Sequence, residues 1–227
     1  MADTAPPAKH NRFDDEAKNW DVCASNPTTV QSSRLFFEAI QSRFPSLAQG
    51  QEKSKRALEI GCGTGLLSMH LAPLLGEYVA FDPSQGMIDV LKTKIKDMPQ
   101  VKPVAELLED PETPHLSGKP VDYAFSHLTL HHIPDMFASI QCLAATLAPG
   151  GHIVLSDFEA SSTSEDFHPK HKHHDVERHG VVGSEIEGML QKAGFKNVKV
   201  EHSFDLPKKK EDGSEGNFPF LIATGTK

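Results

Sequence analysis

The chain alternates between two patterns of apolar residues. Short apolar runs that end at glycine, serine or aspartate predict buried strands, whereas apolar residues every three or four positions predict helices. Strands are expected at 57–60, 78–81, 101–108, 121–126 and 152–157, and helices are expected to begin near 27, 66, 84, 136 and 184. This repeated strand–helix order predicts an α/β, doubly wound fold, in which a mostly parallel sheet carries helices on both faces.

The pattern changes after the fifth predicted strand. A histidine-rich loop at 158–182 is followed by a short helix, which we expect to end at Gly194. Two alternating segments, 197–204 and 220–226, then follow with a lysine-rich loop between them. Consecutive strands without an intervening helix predict an antiparallel hairpin.

Composition limits the classes of function. The 227 residues suit one compact domain, and 23 lysines and arginines against 31 acidic residues give a net charge of −8. Nucleic-acid binding depends on clustered positive charge, so we expect no nucleic-acid partner. The apolar runs fall short of the ~20 residues that span a membrane, and the first dozen residues show no targeting signal. Three cysteines, Cys23, Cys62 and Cys142, form no even set; we therefore expect a cytoplasmic protein without a membrane partner.

A glycine-rich loop joins the first strand to the first helix of the repeat. Gly61, Gly63 and Gly65 stand at every second position and follow Glu59. Glycines there let the backbone approach a ligand closely, and this turn lies where ligands bind in a doubly wound sheet. Dinucleotide sites have the spacing G-x-G-x-x-G instead. Because a carboxylate beside the loop would repel pyrophosphate but suit an ammonium and a sulfonium, the pattern favours S-adenosylmethionine.

A second carboxylate marks the end of the next strand. Asp82 follows Gly65 by 17 positions and can accept two hydrogen bonds from a ribose diol. Helix capping is the alternative role, but Ser84 already offers a cap. Met87, one turn farther on, is a candidate for packing against adenine or within the core.

Four sequence blocks together resemble the class I, Rossmann-like S-adenosylmethionine-dependent methyltransferases, in particular the type 11 or 12 small-molecule branch. The blocks are LEIGCGTGLL from Leu58, FDPSQGM from Phe81, DYAFSHLTLHHI from Asp122 and LAPGG from Leu147. They cover roughly residues 55–157, and Ala193-Gly194-Phe195 matches a late helix-to-strand turn. The blocks are specific for fold and cofactor and say nothing about the methyl acceptor.

The resemblance implies a seven-stranded sheet of order 3-2-1-4-5-7-6, in which the last strand is antiparallel. It implies that Gly61 and Gly63 approach the methionine part of the cofactor and that Asp82 holds the ribose. The family often places an aspartate after the third strand, whereas this chain has Leu107 and Leu108 there. The full candidate set for the cofactor is Glu59, Gly61, Cys62, Gly63, Gly65, Asp82, Pro83, Met87, Leu107, Leu108, Ser126, His127 and Trp20.

The resemblance also divides the chain. Residues 1–25 are expected to form a flexible N-terminal segment that folds over the cofactor, and 26–227 the methyltransferase domain, with the loop 158–182 inside it. Phe13 and Trp20 are candidates for closing the pocket by burying apolar area, although Trp20 also suits a small satellite core.

Methyl transfer is an in-line displacement that mainly requires alignment and exclusion of water. A hydroxyl or protonated amine must also lose a proton, so a positioned base can help. His127, which follows the fourth strand, is the leading candidate for a base or a substrate contact. Asp157 at the end of the fifth strand and His168 in the loop are the other catalytic candidates. For His131 and His132 we favour packing and capping.

The loop holds five histidines within twelve positions: His168, His171, His173, His174 and His179. Imidazoles beside carboxylates suit zinc, but the spacing lacks the i, i+4 pattern of a helical zinc motif and no cysteine is near. We therefore assign no metal ligands, and the position of the loop favours a lid over the substrate pocket.

The sequence thus predicts a methyltransferase that acts on oxygen, nitrogen or sulfur of a small molecule. A protein or peptide methyltransferase and a catalytically silent cofactor-binding scaffold are the alternatives. A nicotinamide dehydrogenase does not fit the glycine spacing.

Overall fold

The computed structural model describes residues 12–21 and 27–227. Its centre is one seven-stranded sheet of order β3-β2-β1-β4-β5-β7-β6. The first five strands pair in parallel, and β7 runs antiparallel between β5 and β6, so the predicted order is confirmed. The strands are β1 (Arg56–Ile60), β2 (Glu77–Phe81), β3 (Val101–Val104), β4 (Val121–His127), β5 (Leu147–Phe158), β6 (Lys196–Lys209) and β7 (Glu215–Thr226).

Helices cover both faces of the sheet, as expected. They are α1 (Arg12–Glu16), α2 (Pro27–Arg43), α3 (Pro45–Ala48), α4 (Ser68–Leu71), α5 (Gln85–Lys94), α6 (Met136–Thr146) and α7 (Gly183–Lys192). The apolar side chains of α2, α4 and α5 share one buried cluster, and those of α6 and α7 share another on the opposite face. A third, aromatic cluster joins the far ends of β5, β6 and β7.

Strand alternation explains the two-sided core. In β1 and β2, Ala57 and Tyr78 join the cluster under α2, whereas Leu58 and Val79 join the one under α6. All four are fully buried. A parallel strand covered on both faces needs apolar residues at every position, which is why these strands read as continuous apolar runs.

Several element boundaries differ from the prediction. The helix expected to begin near 66 is only α4 followed by a 3-10 turn at Ala72–Leu74, because Pro73 has no amide hydrogen and its ring hinders a longer helix. The hairpin strands β6 and β7 are longer than expected. The helix α7 begins at Gly183, one residue before the expected start, and Val182 at its N-cap position makes no side-chain capping hydrogen bond.

The strand order changes direction at β1. Strands β2 and β3 are added on one side of β1 and β4 and β5 on the other, so the loops after β1 and β4 diverge at the carboxyl edge of the sheet. Ligands of doubly wound folds bind in the crevice formed at such a point.

Residues 1–11 and 22–26, which include Cys23 and most of the expected flexible segment, lie outside the described residues.

Candidate functional site

A cavity of about 740 Å³ opens at this carboxyl edge. It is bounded by the loops after β1, β2, β3 and β4, by part of α2 and by the N-terminal segment. Eleven of the thirteen candidate cofactor residues line it: Trp20, Glu59, Gly61, Cys62, Gly63, Asp82, Pro83, Met87, Leu107, Leu108 and His127. The fold therefore gathers most of the residues that the sequence singles out into one volume of ligand size.

The three loop glycines have different structural roles. All have positive φ, at +66°, +53° and +84° for Gly61, Gly63 and Gly65. A Cβ on Gly61 would stand 2.1 Å from Oγ1 of Thr129, and one on Gly65 would stand 2.3 Å from Leu91. A Cβ on Gly63 would meet nothing within 4 Å. Gly63 therefore leaves open space for a ligand, whereas Gly65 lets the loop pack on α5 and does not line the cavity.

Glu59 is a buried carboxylate in the cavity wall. Only 2% of it is exposed, and it accepts hydrogen bonds from the Ser68 hydroxyl and, at 2.8 Å, from the Tyr78 hydroxyl. Burial raises the pKa of Glu59 to about 7, although both hydrogen bonds act in the opposite direction. A cation arriving beside it would favour the ionised form, so the site is suited to a positively charged group.

Asp82 connects the glycine loop to the start of α5. Its two carboxylate oxygens accept from the amides of Gly63, at 2.8 Å, and Ser84, at 2.9 Å. Burial raises the pKa of Asp82, and those two amides offset it only in part. Ser84 caps α5 by accepting from the Met87 amide, as predicted. Each carboxylate oxygen has a further lone pair, so hydrogen bonds to a ligand hydroxyl remain compatible with this arrangement.

The cavity wall is acidic. Six carboxylates line it, and none of the described lining residues is a lysine or an arginine. They are Glu59, Asp82, Glu106, Glu109, Asp135 and Asp175. Low-dielectric walls that carry one sign of charge concentrate counter-ions, so this cavity attracts cations and repels phosphates.

The N-terminal segment is attached to the glycine loop and α5. The Asp14 carboxylate accepts from the Ser84 hydroxyl, at 2.6 Å, and from the Gly86 amide, at 2.8 Å. The Thr64 hydroxyl donates to Asp21 at 2.6 Å. Gly86 is required for this contact, because a Cβ there would lie 2.7 Å from the Cα of Asp14.

This attachment carries two aromatic rings to the cavity. Phe13 and Trp20 line it and meet edge to face, with ring centroids 5.8 Å apart. Phe13 also meets His132 edge to face at 5.5 Å. Lys172 of the histidine-rich loop binds Glu16 at 2.7 Å, so the N-terminal segment bridges both rims of the cavity. The expected role of Phe13 and Trp20 as a cover is consistent with this position.

His127, the leading catalytic candidate, is buried where β4 ends. Its ring stacks on Phe36, with centroids 4.9 Å apart, and lines the cavity. The Ser32 hydroxyl donates to the Thr29 carbonyl, so Nε2–H of His127 donates to Ser32 Oγ at 3.1 Å and Nδ1 is the acceptor nitrogen. Burial lowers the pKa of His127 to about 4. The ring is thus neutral near pH 7.

The other two catalytic candidates lie outside the cavity lining, together with Ser126. Asp157 is fully buried, and both its oxygens accept from the His131 ring, while the amides of His131 and Phe158 also donate to it. Asp157 therefore holds His131 and does not face a substrate in the cavity. His168 lies beside His131, with ring centroids 5.1 Å apart. Ser126 is buried within β4.

Further polar residues, which were not among the candidates from the sequence, also line the cavity. Thr29 and Ser33 of α2, Thr64 and Thr129 line the cavity, as does His132, for which we favoured packing. Thr29 and Ser33 stand four positions apart in α2, a spacing that places both on one face of the helix. The sequence signal for these two residues was this spacing, and the signal for His132 was its place after β4.

The histidine-rich loop is joined to the segment after β4. The Arg178 guanidinium donates to the carbonyls of Leu130, Ile133 and Pro134, and the Arg178 amide donates to the carbonyl of His131. Through these bonds the loop lies against the cavity, and Asp175 from it reaches the lining. The expected placement of this loop beside the pocket is consistent with these contacts.

A family profile described as a methyltransferase domain matches residues 32–200. The chain belongs to this methyltransferase family. The expected class I, S-adenosylmethionine-dependent methyltransferase is therefore confirmed, and its cavity lies at the place where that fold presents its ligands. The finer assignment to the type 11 or 12 branch stays a prediction.

One curated relative and one solved structure illustrate what this chain is similar to. The chain is 31% identical over 115 residues to the ubiquinone biosynthesis O-methyltransferase of Marinobacter nauticus. The aligned residues make up 48% of this chain and 47% of the relative. The YcgJ protein of Bacillus subtilis has the same fold, with a TM-score of 0.67 and 15% identity over 84% of this chain and 98% of that one. The match spans about half the length, or less, of the curated relatives found first.

A further solved structure carries a bound cofactor. The phosphoethanolamine N-methyltransferase 2 of Haemonchus contortus, in complex with S-adenosyl-L-methionine, is similar with a TM-score of 0.62. It is 16% identical, over 96% of this chain and 60% of that chain. At such identity the likeness concerns the fold.

Within the described ranges, no helix is both long and apolar enough to cross a membrane.

Proposed function

We propose that this methyltransferase binds S-adenosylmethionine in the 740 Å³ cavity and transfers its methyl group to oxygen, nitrogen or sulfur of a small, neutral or cationic molecule. The observation that carries the proposal is the charge of the cavity. Six carboxylates and no described lysine or arginine line a site that opens at the glycine loop. Such a site suits a sulfonium and an ammonium and disfavours a pyrophosphate.

The residues present fit this cofactor. Gly63 leaves open space next to the buried carboxylate of Glu59, where an ammonium gains an ionic hydrogen bond. Asp82 lies at the end of β2, in the place to accept from ribose hydroxyls. Leu107, which is 63% exposed, and Met87 provide apolar surface for a purine. We assign these residues to the cofactor on their position, burial and charge.

When bound, the cofactor supplies an electrophilic methyl group on a sulfonium. The chain then has to position the acceptor, exclude water and receive a proton where one is lost. Phe13 and Trp20 of the N-terminal segment line the cavity and help to exclude water from it. His127, neutral near pH 7 because burial lowers its pKa to about 4, is a weak base, so we assign it contact with the acceptor through its ring.

The limited size of the cavity favours a small acceptor. A volume of about 740 Å³ is within the ~300–1,000 Å³ of small-molecule sites, and the cofactor fills part of it. The N-terminal segment and the histidine-rich loop meet across its rim through Lys172 and Glu16. A folded protein would have to displace this bridge to present a side chain.

Calorimetric titration with S-adenosylmethionine, and with NAD as the control, tests the cofactor. Binding of S-adenosylmethionine alone is expected, and binding of NAD alone would overturn the proposal. Transfer from methyl-labelled cofactor across a panel of small thiols, phenols and amines tests the acceptor. Tight cofactor binding with no product from any member of the panel would favour the catalytically silent scaffold, and product formed only with peptides would favour the protein methyltransferase.

A further inference from the structure

Three histidines from two distant segments meet beside the cavity. His131 and His132 follow β4, and His168 comes from the histidine-rich loop. One ligand atom from each lies within 4.8 Å of the other two. We call this cluster the histidine triad. It uses only one of the five loop histidines.

His131 is held as metal-bound histidines are held. Its Nδ1–H donates to both oxygens of Asp157, at 2.9 and 3.0 Å, and the Asp157 carboxylate is fully buried. Nε2 is left as the nitrogen with a lone pair, and it is buried without a hydrogen-bond partner among the described residues. A buried polar atom without a partner is costly, and a carboxylate–histidine pair of this kind orients imidazole toward a metal.

The other two histidines are fixed independently. The Nδ1–H of His132 donates to the carbonyl of Asp175 at 3.0 Å, so Nε2 is the ring nitrogen that is suited to ligating a metal. His168 follows Phe167, whose ring stacks on Phe158 at 4.1 Å and whose carbonyl accepts from Lys208 at 2.6 Å. These contacts hold the backbone from which His168 reaches the triad.

We propose that the histidine triad binds a divalent transition metal of the zinc class. Three imidazoles are the donor set of open, catalytic zinc sites, which keep one position for another ligand. Tetrahedral Zn–N bonds of ~2.0–2.1 Å place ligand nitrogens about 3.3 Å apart, so small side-chain rotations close the triad around an ion. Asp157 is the positioning residue that orients His131.

His132 belongs to both the triad and the cavity lining. A ligand at the open coordination position of the metal would therefore come from the cavity. A metal in the triad would accept a thiol or hydroxyl of the methyl acceptor and lower its pKa, so that the proton leaves to solvent before transfer. The new bond then forms from the acceptor lone pair to the methyl carbon, and the electrons of the broken carbon–sulfur bond stay on the cofactor sulfur. This assignment of the open position rests on the proposed function.

Metal binding tests the site without any activity measurement. Untagged protein is stripped with a chelator and titrated with Zn²⁺ by calorimetry, and with Co²⁺, whose visible absorption reports tetrahedral coordination. One ion per chain is expected. His168→Ala and His132→Ala are expected to weaken Zn²⁺ binding by more than about 100-fold, and Asp157→Asn by about 10–100-fold with the same stoichiometry.

His171→Ala and His174→Ala are the matched controls, because both residues are exposed in the same loop. Both are expected to bind Zn²⁺ as the parent protein does. The proposal is overturned if the parent protein binds no ion, or if His168→Ala and His132→Ala bind as tightly as the controls. His131→Ala is not a deciding variant, since it leaves the buried Asp157 without its ring partner.

Two parallel measurements separate the possible causes of failure. Circular dichroism and thermal unfolding establish that His168→Ala and His132→Ala are folded, and Zn²⁺ is expected to raise the melting temperature of the parent protein but not of these two variants. Calorimetry with S-adenosylmethionine reports the cofactor site separately. A metal bound by the triad in a protein that binds no S-adenosylmethionine would support this inference and refute the proposed function.

Discussion

Glu59→Gln is expected to stabilise the fold and weaken cofactor binding at the same time. The carboxylate is 2% exposed and lies beside Asp82, so its charge is unfavourable in the empty protein. Its pKa rises from 4.5 to about 7, a change of about 2.5 units. At about 1.36 kcal/mol per unit, full ionisation costs the folded state about 3 kcal/mol.

The sign of the pH dependence follows from this shift. Because the pKa of Glu59 is raised in the folded state, its contribution to stability is fully present below pH 4.5 and is lost as the pH rises through 7. Between pH 5.5 and 8.5 the change attributable to Glu59 is about 1.5 units, or about 2 kcal/mol. Glutamine has no charge to remove from water, so the variant lacks this part of the pH dependence.

Urea denaturation at pH 5.5 and 8.5 measures the stability effect. The parent protein is expected to lose about 2 kcal/mol more than Glu59→Gln does between the two pH values. Glu109→Gln is the control, because Glu109 lines the same cavity but is exposed, and it is expected to follow the parent protein. An equal loss in all three proteins would show that Glu59 is not destabilised by burial.

Calorimetry with S-adenosylmethionine at pH 7.5 supplies the second readout. Loss of a charge-assisted hydrogen bond costs about 1.5–3 kcal/mol, which is about 10–100-fold in affinity. A variant that is more stable at pH 8.5 yet binds cofactor more weakly is not explained by damage to the fold. Unchanged affinity would remove Glu59 from the ammonium site.

Two further substitutions and one fluorescence measurement test the cavity. Gly63→Ala adds strain of about 1 kcal/mol and places a methyl group in the proposed cofactor space, so it is expected to fold and to lose cofactor binding. Gly118→Ala, with φ of +66° and equally open surroundings, is expected to keep binding in the same calorimetric assay. Asp82→Asn is expected to weaken cofactor binding about 10–100-fold, and Asp89→Asn on the exposed side of α5 to leave it unchanged. Trp20, the only tryptophan, is expected to change its fluorescence as cofactor is added, and an unchanged emission would argue against its role as cover.

The fold could be predicted because its determinants are local. The short apolar runs in β1 and β2 are the signature of strands buried on both faces, and both runs end at the residues that form the cavity. Element lengths were harder to predict, because they depend on single residues and on pairing partners. Pro73 ends the helix after the glycine loop, and β6 extends because β7 pairs with it as far as Glu215.

Much of the cavity wall could also be predicted from the sequence, since many of its residues lie at the ends of successive strands. Glu59, Gly61 and Asp82 are placed by strand order alone. Gly65 shows the limit of this reasoning, because its glycine is explained by the approach of Leu91 from α5, which no local pattern reports. A motif identifies where the backbone must be free of a side chain, but only the packing says what occupies the space.

The partner of Asp157 shows what the pattern could not supply. β4 and β5 are adjacent and parallel, with His127 opposite Ser156, so the topology alone brings the end of β5 near the segment after β4. Leu128 then takes a left-handed conformation with φ of +52°, which is uncommon for a residue with a Cβ. Three residues farther on, the amide and the ring of His131 donate to the Asp157 carboxylate. Because this backbone turn leaves no signal in the apolar pattern, Asp157 could be assigned to the correct edge of the sheet and still be taken for a catalytic candidate, whereas the structure pairs it with His131.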